Sequence, residues 1–370
     1  MNCDKVRIGK VLTFAGTVIA FTIGSGFATG QEILQYFTAY GYKSILVIVT
    51  FLCIFLYTNY NFAKAGSTAD FERGSQVFTY FCGDKIGKLF DYFAVLFCYM
   101  SFIVMVAGAS ATIQQQYGLP LAVGGVILTV TAGITVVGGL NAMVDVLGKV
   151  GPIIILLCIA IGAITLFRDY GQVAEGARLI ASGEVEVMAA SNHWFFSGCS
   201  YGGFCLLWFA GFMAELGAKN RFKELTTGMF WATGVIAIAI LLMGFALLAN
   251  IDVVSAAQIP NLILAKKIFP GLSAIFSIVI ILGIYTTAVP LLWTASSRFT
   301  KENTTPFKVV TVILAVTGFI VSLTIPFAKL VNIIYVLNGY VGVLLIIFMV
   351  LKNIMLKKQR KKELCKVDVE

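Results

Sequence analysis

Apolar residues in this chain fall in long uninterrupted runs. They do not alternate singly with polar residues, and the runs are parted by short polar or basic connections. About 20 apolar residues rising about 1.5 Å each cross a hydrocarbon core of about 30 Å. Ten runs meet that length, at roughly 10–38, 43–65, 86–116, 119–139, 145–167, 194–217, 224–249, 271–297, 307–327 and 329–352. Longer connections lie at 66–85, 168–193 and 250–270. The pattern predicts an all-α polytopic membrane protein of about ten transmembrane helices, with one transmembrane domain over 1–370 and a basic tail at 353–370. The first run is too long for the apolar region of a signal peptide and has no small-residue cleavage site after it, so it predicts a retained helix.

That first run is interrupted in an informative way. Residues 11–30 carry no charge, yet Gly24, Gly26 and Gly30 recur within it, among Thr22, Ser25 and Thr29. Each glycine weakens a helix by about 1 kcal/mol relative to alanine. The spacing predicts an unwound turn at mid-membrane. Backbone groups freed there must meet water, protein or a ligand. The carbonyls ending the first half-helix suit a cation, and the N–H groups opening the second suit a carboxylate. A close helix–helix contact through Gly26 and Gly30 is the competing reading of the same spacing.

The second half of the chain repeats the feature. The sixth run has glycines at 198, 202 and 203, with Ser197, Ser200 and Tyr201 among them. Two interrupted helices in matching places predict a 5+5 inverted repeat, with repeat one at 10–167, repeat two at 194–352, and helices 1 and 6 both unwound. In the eighth run, Thr286 and Thr287 place two hydroxyls side by side beyond Gly283, with Pro290 one turn on. Two hydroxyls plus carbonyls from an unwound helix make a five-oxygen cage for a hard cation. The alternative is that each threonine bonds back to a carbonyl one turn earlier. Glu32 stands within a span about 9 Å beyond Gly26, which makes it a candidate gate or proton site, or else a structural carboxylate. The segment 250–270, with Pro260 and Pro270, predicts an external loop with a short helix that caps an outer vestibule.

Composition sharpens this picture. The chain is 59% hydrophobic and 12% charged, which excludes an ordinary soluble domain. Its net charge of +9 carries no nucleic-acid signature, because the basic residues gather in alternate connections and in the tail. With the N-terminus inside, 21 of the 27 Lys and Arg fall on one face and 6 on the other, which predicts that both termini are cytoplasmic. The eight cysteines are scattered, with no metal or disulfide spacing. The single histidine, His193, reads as an interfacial residue beside Trp194. No His-Glu-x-x-His, serine–histidine pairing or phosphate-binding Gly-Lys-Ser/Thr loop is present, so neither an enzyme nor an ATP-driven pump is expected.

The stretch Gly16-Thr-Val-Ile-Ala-Phe-Thr-Ile-Gly24-Ser-Gly-Phe-Ala-Thr-Gly-Gln31-Glu32-Ile-Leu-Gln-Tyr-Phe37 resembles the first-helix signature of the YkvI-type bacterial membrane proteins. More distantly, the chain resembles the amino acid–polyamine–organocation superfamily with the LeuT-type fold. The resemblance implies a bacterial cytoplasmic membrane protein that carries a small molecule by alternating access. It implies a substrate seat at Gly24, Ser25, Gly26 and Phe27, faced by Tyr201, Gly202, Gly203 and Phe204, with Tyr99 as a weaker candidate. It also implies a sodium site formed by the carbonyls of Ala20, Ile23 and Gly283 and the side chains of Thr286 and Thr287. Some proton-coupled relatives place a lysine from the middle of helix 5 in that site. Residues 150–167 here contain none, and Lys149 lies toward the cytoplasmic end, which favours sodium. The expected function is a sodium-coupled symporter of an amino acid or related small amine. Its partners are that solute and the lipid bilayer, with no nucleic acid, no obligate protein partner, and no cofactor or metal beyond the sodium ion. A proton-coupled transporter using Glu32, and a non-transporting or channel-like protein of the same fold, are the alternatives.

Overall fold

The computed structural model describes residues 6–22, 24–69, 71–138, 144–302 and 304–367. The first span is built from three short helices, α1 (Ile8–Thr22), α2 (Ser25–Thr29) and α3 (Gln31–Tyr36), followed by a 3-10 turn at Thr38–Lys43. There follow α4 (Ser44–Thr68), α5 (Gln76–Tyr117), α6 (Leu121–Gly138), α7 (Val144–Asp169) and the short α8 (Val173–Ser182). The second half contains α9 (Trp194–Lys219), α10 (Phe222–Leu248), α11 (Ile251–Val254), α12 (Pro260–Ile268), α13 (Pro270–Phe299), α14 (Thr305–Thr324) and α15 (Phe327–Val367). Among the described residues, nine helices are long and apolar enough to cross a membrane, and α1 is a shorter apolar one. The molecule is an all-helical polytopic membrane protein, as the hydropathy pattern predicts.

Local chemistry sets several of the ends. His193 caps α9 by accepting from the Phe195 N–H through Nδ1, and its ring lies against Trp194, so its place is structural. Thr304 caps α14 in the same way, accepting from the Phe307 N–H. The external segment forms α12, with Pro260 at its first turn, where the missing N–H costs nothing.

The helices pack in two groups. One contains α1, α4, α9 and α10; the other contains α5, α6, α13 and α14. α15 lies against α9 and α5, and α7 lies between α10 and α13. Helix α9 is gripped on two sides through glycine. A methyl group on Gly198 would strike Thr50 and the Val47 carbonyl of α4, and one on Gly202 would strike Ile54 of the same helix. On the other side, a methyl on Gly203 would strike the Gly339 carbonyl of α15. Small residues let membrane helices approach closely, and dispersion then holds them together.

These contacts correct one expectation. Helix 6 is not unwound: α9 runs as one helix from Trp194 to Lys219. Its glycines are contact points for α4 and α15. An intact helix satisfies its own backbone, so of the two expected breaks only the one in helix 1 is present.

Candidate functional site at the interrupted first helix

Helix α1 ends at Thr22, and α2 begins at Ser25 after an extended Gly24 (φ −85°, ψ −175°). A second interruption follows at Gly30, whose φ of +89° lies in the left-handed region that glycine reaches without strain. Neighbouring groups take up the freed backbone. Thr29 Oγ1 donates to the Gly26 carbonyl at 2.8 Å, and Thr22 Oγ1 donates to the Val18 carbonyl at 2.8 Å. Asn261 of α12 reaches in from the external segment, and its Nδ2 donates to the Phe27 and Ala28 carbonyls at 3.3 and 3.0 Å. The Asn261 side chain packs over Gly30, where a methyl group would collide with it. The segment expected to cap an outer vestibule thus packs directly on the broken helix.

Every residue of α3 is buried. Glu32 is only 3% exposed. Its carboxyl folds back over Gly26, so that a methyl group on Gly26 would overlap Oε1. Its partner is the Tyr201 hydroxyl of α9, which donates to Oε2 at 3.1 Å. Among the described side chains, no lysine or arginine pairs with it. The rings around it form one cluster. Tyr201 lies 5.0 Å from Tyr36, 5.0 Å from Phe37, 4.9 Å from Phe51 and 5.8 Å from Phe204. Phe204 in turn stacks on Tyr335 of α15 at 4.3 Å. A carboxyl in such surroundings is either neutral or paired with a cation, because an isolated ionised carboxylate is costly in a low-dielectric core.

The structure brings together Gly26, Glu32 and Tyr201, with Phe204 in the same aromatic cluster. It sends others elsewhere. Gly202 and Gly203 face α4 and α15, so they are contact surfaces in place of the expected wall. Tyr99 turns to α14, where its hydroxyl meets Thr317 Oγ1 at 2.7 Å and the Leu314 carbonyl at 3.2 Å. From α5, Phe97 faces Phe204 and Trp208 in its place, at 5.8 and 5.2 Å. Phe27 is fully buried, and Gly24 is half-buried. Ile23 lies outside the described residues, as does the side chain of Ser25.

Thr286 is buried and Thr287 half-buried on α13. Both hydroxyls donate to the Gly283 carbonyl at 2.9 Å, which is the back-bonded arrangement. Their oxygen lone pairs stay available as acceptors, so the donor chemistry still suits a hard cation. A methyl on Gly283 would meet Ile154 of α7, while Ala20 is a half-buried residue of α1. Helix α13 reaches the broken helix mainly through α2.

Beside α12, the broken helix is covered by amides that sequence reasoning did not single out. Gln31 donates to the Ala257 carbonyl, and Gln35 Nε2 donates to Gln31 Oε1 and to the Ala328 carbonyl. Asn332 donates to Gln35 Oε1, and Gln115 exchanges two hydrogen bonds with the backbone of Ile259. Lys267 Nζ meets Asp169 Oδ2 at 2.9 Å and Asn250 Oδ1, tying α12 to the C-terminal ends of α7 and α10. α1 carries exposed positions at Leu12, Thr13 and Phe21, and Phe21 stacks on Phe212 of α9 at 4.3 Å. Arg7 holds the N-terminal end of α1 to α10 through Glu224 at 2.9 Å.

Comparison with known proteins gives a consistent architecture. No protein-family profile matches the chain. A 103-residue portion is 31% identical to the uncharacterized protein YyaD of Bacillus subtilis (strain 168), covering 28% of this chain and 29% of that relative's length. Among solved structures, MhsT in complex with L-phenylalanine superposes with a TM-score of 0.60 at 15% identity, over 92% of this chain and 88% of that one. Mhp1 in its inward-facing conformation gives 0.57 at 13% identity, over 90% and 73%. A substrate-bound, outward-open Na+-coupled sialic acid symporter gives 0.55 at 16% identity, over 96% and 78%. At these identities the likeness speaks to architecture, and the chain has the LeuT-type fold.

Proposed function

We propose that this protein is a cation-coupled secondary symporter of an amino acid or related small amine, working by alternating access with sodium as the coupling ion. The observation that carries the reading is the interruption of the first helix between Thr22 and Gln31. It is tied to α9 by Glu32 and Tyr201 and to α12 by Asn261. An unwound segment inside a bilayer is tolerated where it lines a path or a site. The amide contacts that cover the broken helix support a state closed to the outside, and the two helix groups supply bodies that rock against each other. Neighbours solved with L-phenylalanine or described as Na+-coupled support the solute and ion classes. The first-helix resemblance to the YkvI-type proteins is the finer family assignment we infer.

Coupling to protons through Glu32 is the second reading. It is favoured by the burial of that carboxyl and by the back-bonding of Thr286 and Thr287 to Gly283. Uptake of labelled amino acids and amines into proteoliposomes separates the two. A sodium gradient at constant pH drives accumulation on the first reading, and a pH gradient without sodium drives it on the second. Solute flux that ignores both gradients overturns each.

A further inference from the structure

The expected seat for a substrate carboxylate is the backbone around Gly26. In the structure a protein carboxylate already lies there. Glu32 Oε1 sits so close above the Gly26 Cα that a methyl group at that position would overlap it. With Glu32 ionised, a substrate that brought its own carboxylate to this corner would set two like charges side by side in a medium of low dielectric, which is strongly disfavoured. A positive group in the same place would instead supply the counter-charge that no described lysine or arginine provides.

The surroundings of Glu32 suit such a group in two further ways. Tyr36 follows Glu32 by one helical turn, so the two side chains share a face of α3. The Tyr36 hydroxyl is fully buried and closes no hydrogen bond of normal length with a described residue. It is an oxygen able to accept from an ammonium N–H. The rings of Tyr36, Tyr201 and Phe204 lie in the same cluster, and a desolvated cation is attracted to aromatic faces.

The geometry points to Glu32 as the anchor for the positive charge of the transported solute, which makes that solute an organic amine without a carboxylate next to its ammonium group. The inference rests on the transporter reading and narrows it. Tyr201 holds the carboxyl in place by its hydrogen bond, and Gly26 leaves room for it. Free amino acids are disfavoured because their carboxylate lies within two bonds of the carbon bearing the ammonium and so must approach Glu32 as well.

Two matched series on the unaltered protein test this. Phenylalanine is compared with 2-phenylethylamine, which lacks the carboxylate, and with 3-phenylpropionate, which lacks the amine. Alanine, ethylamine and propionate form the smaller series. Thermal stabilisation in detergent and counterflow in proteoliposomes are the readouts, in sodium throughout. The expected result is that an amine stabilises the protein and exchanges, that its matched acid is silent, and that the amino acid is weaker by about tenfold or more. E32Q should then weaken amine binding by about tenfold or more while its ligand-free melt stays cooperative. Since the series uses the native chain, the outcome does not depend on how well E32Q folds. Transport of amino acids with the amines silent overturns the inference and leaves the transporter reading standing. Absence of flux for all six compounds and for a broader amino acid panel overturns both. Accumulation driven by a pH gradient with no amine effect assigns Glu32 to a proton alone and overturns the inference.

Discussion

The Tyr201 hydroxyl donates to Glu32 Oε2 at 3.1 Å, fastening α9 to the outer half of the broken first helix across 169 positions of sequence. Hydrogen bonds to charged groups contribute about 1.5–3 kcal/mol, and leaving a buried carboxyl with one partner fewer costs a similar amount. Tyr201→Phe keeps the ring cluster and removes only that donor. It should destabilise the protein by about 1–3 kcal/mol, read as a lower midpoint of unfolding. An unchanged midpoint would mean that the pair contributes no stability.

Gly26→Ala places a methyl group where Glu32 Oε1 lies. Overpacking of this kind costs about 1–3 kcal/mol. The double variant Gly26→Ala/Glu32→Ala removes the obstruction, so the two changes should be strongly non-additive in a double-mutant cycle. Additive losses would show that the carboxyl and the glycine are independent.

Asn261 holds the Phe27 and Ala28 carbonyls from α12. Asn261→Ala removes both bonds at about 0.5–1.5 kcal/mol each. The balance should shift toward states open to the outside, and a cysteine placed at Ala28 in a cysteine-free background should label faster from the external face. An unchanged labelling rate in that comparison would falsify a lid role for α12.

Sodium at ten times its dissociation constant stabilises a protein by about 1.4 kcal/mol. If Thr286 and Thr287 bind it, sodium should raise the melting midpoint over choline at equal ionic strength. Thr286→Ala/Thr287→Ala should lose that gain. Equal melts in the two cations across a wide concentration range would remove sodium coupling.

Gly203→Ala pushes a methyl group against the Gly339 carbonyl of α15, a backbone atom that cannot step aside. The cost should lie toward the upper end of the about 1–3 kcal/mol typical of overpacking. A harmless substitution would contradict the reading of Gly203 as a helix contact.

The architecture was legible because hydrophobic length is a direct consequence of bilayer thickness, and the nine long apolar helices among the described residues fall close to where the runs place them. The break in helix 1 was legible for a similar reason, since Gly24, Gly26 and Gly30 fall too close together for a single undisturbed helix. Helix 6 shows the limit of that signal. Gly198, Gly202 and Gly203 look the same in sequence, but glycine serves close packing as readily as unwinding, and only the neighbours α4 and α15 decide between the two. Tyr99 was misplaced because a small rotational error in helix register turns a side chain to another face. Asn261 gave no signal, since one amide in a polar loop does not announce a partner 233 or 234 positions away. The Glu32–Tyr201 pair was half visible: each residue stood out alone, and their contact depends on how α3 and α9 lie together.

The seal over the broken helix has an electrical consequence. Gln31, Gln35, Asn332, Gln115 and Asn261 carry no net charge. Moving one elementary charge through the membrane potential involves about 2.3 kcal/mol per 100 mV, whereas displacing a neutral amide involves almost none. Separating these amides therefore adds no gating charge. Voltage dependence of transport, measured as current in a planar bilayer, would report the charge on Glu32, on the transported ions and on the Lys267–Asp169 pair behind α12, with these amides themselves electrically silent.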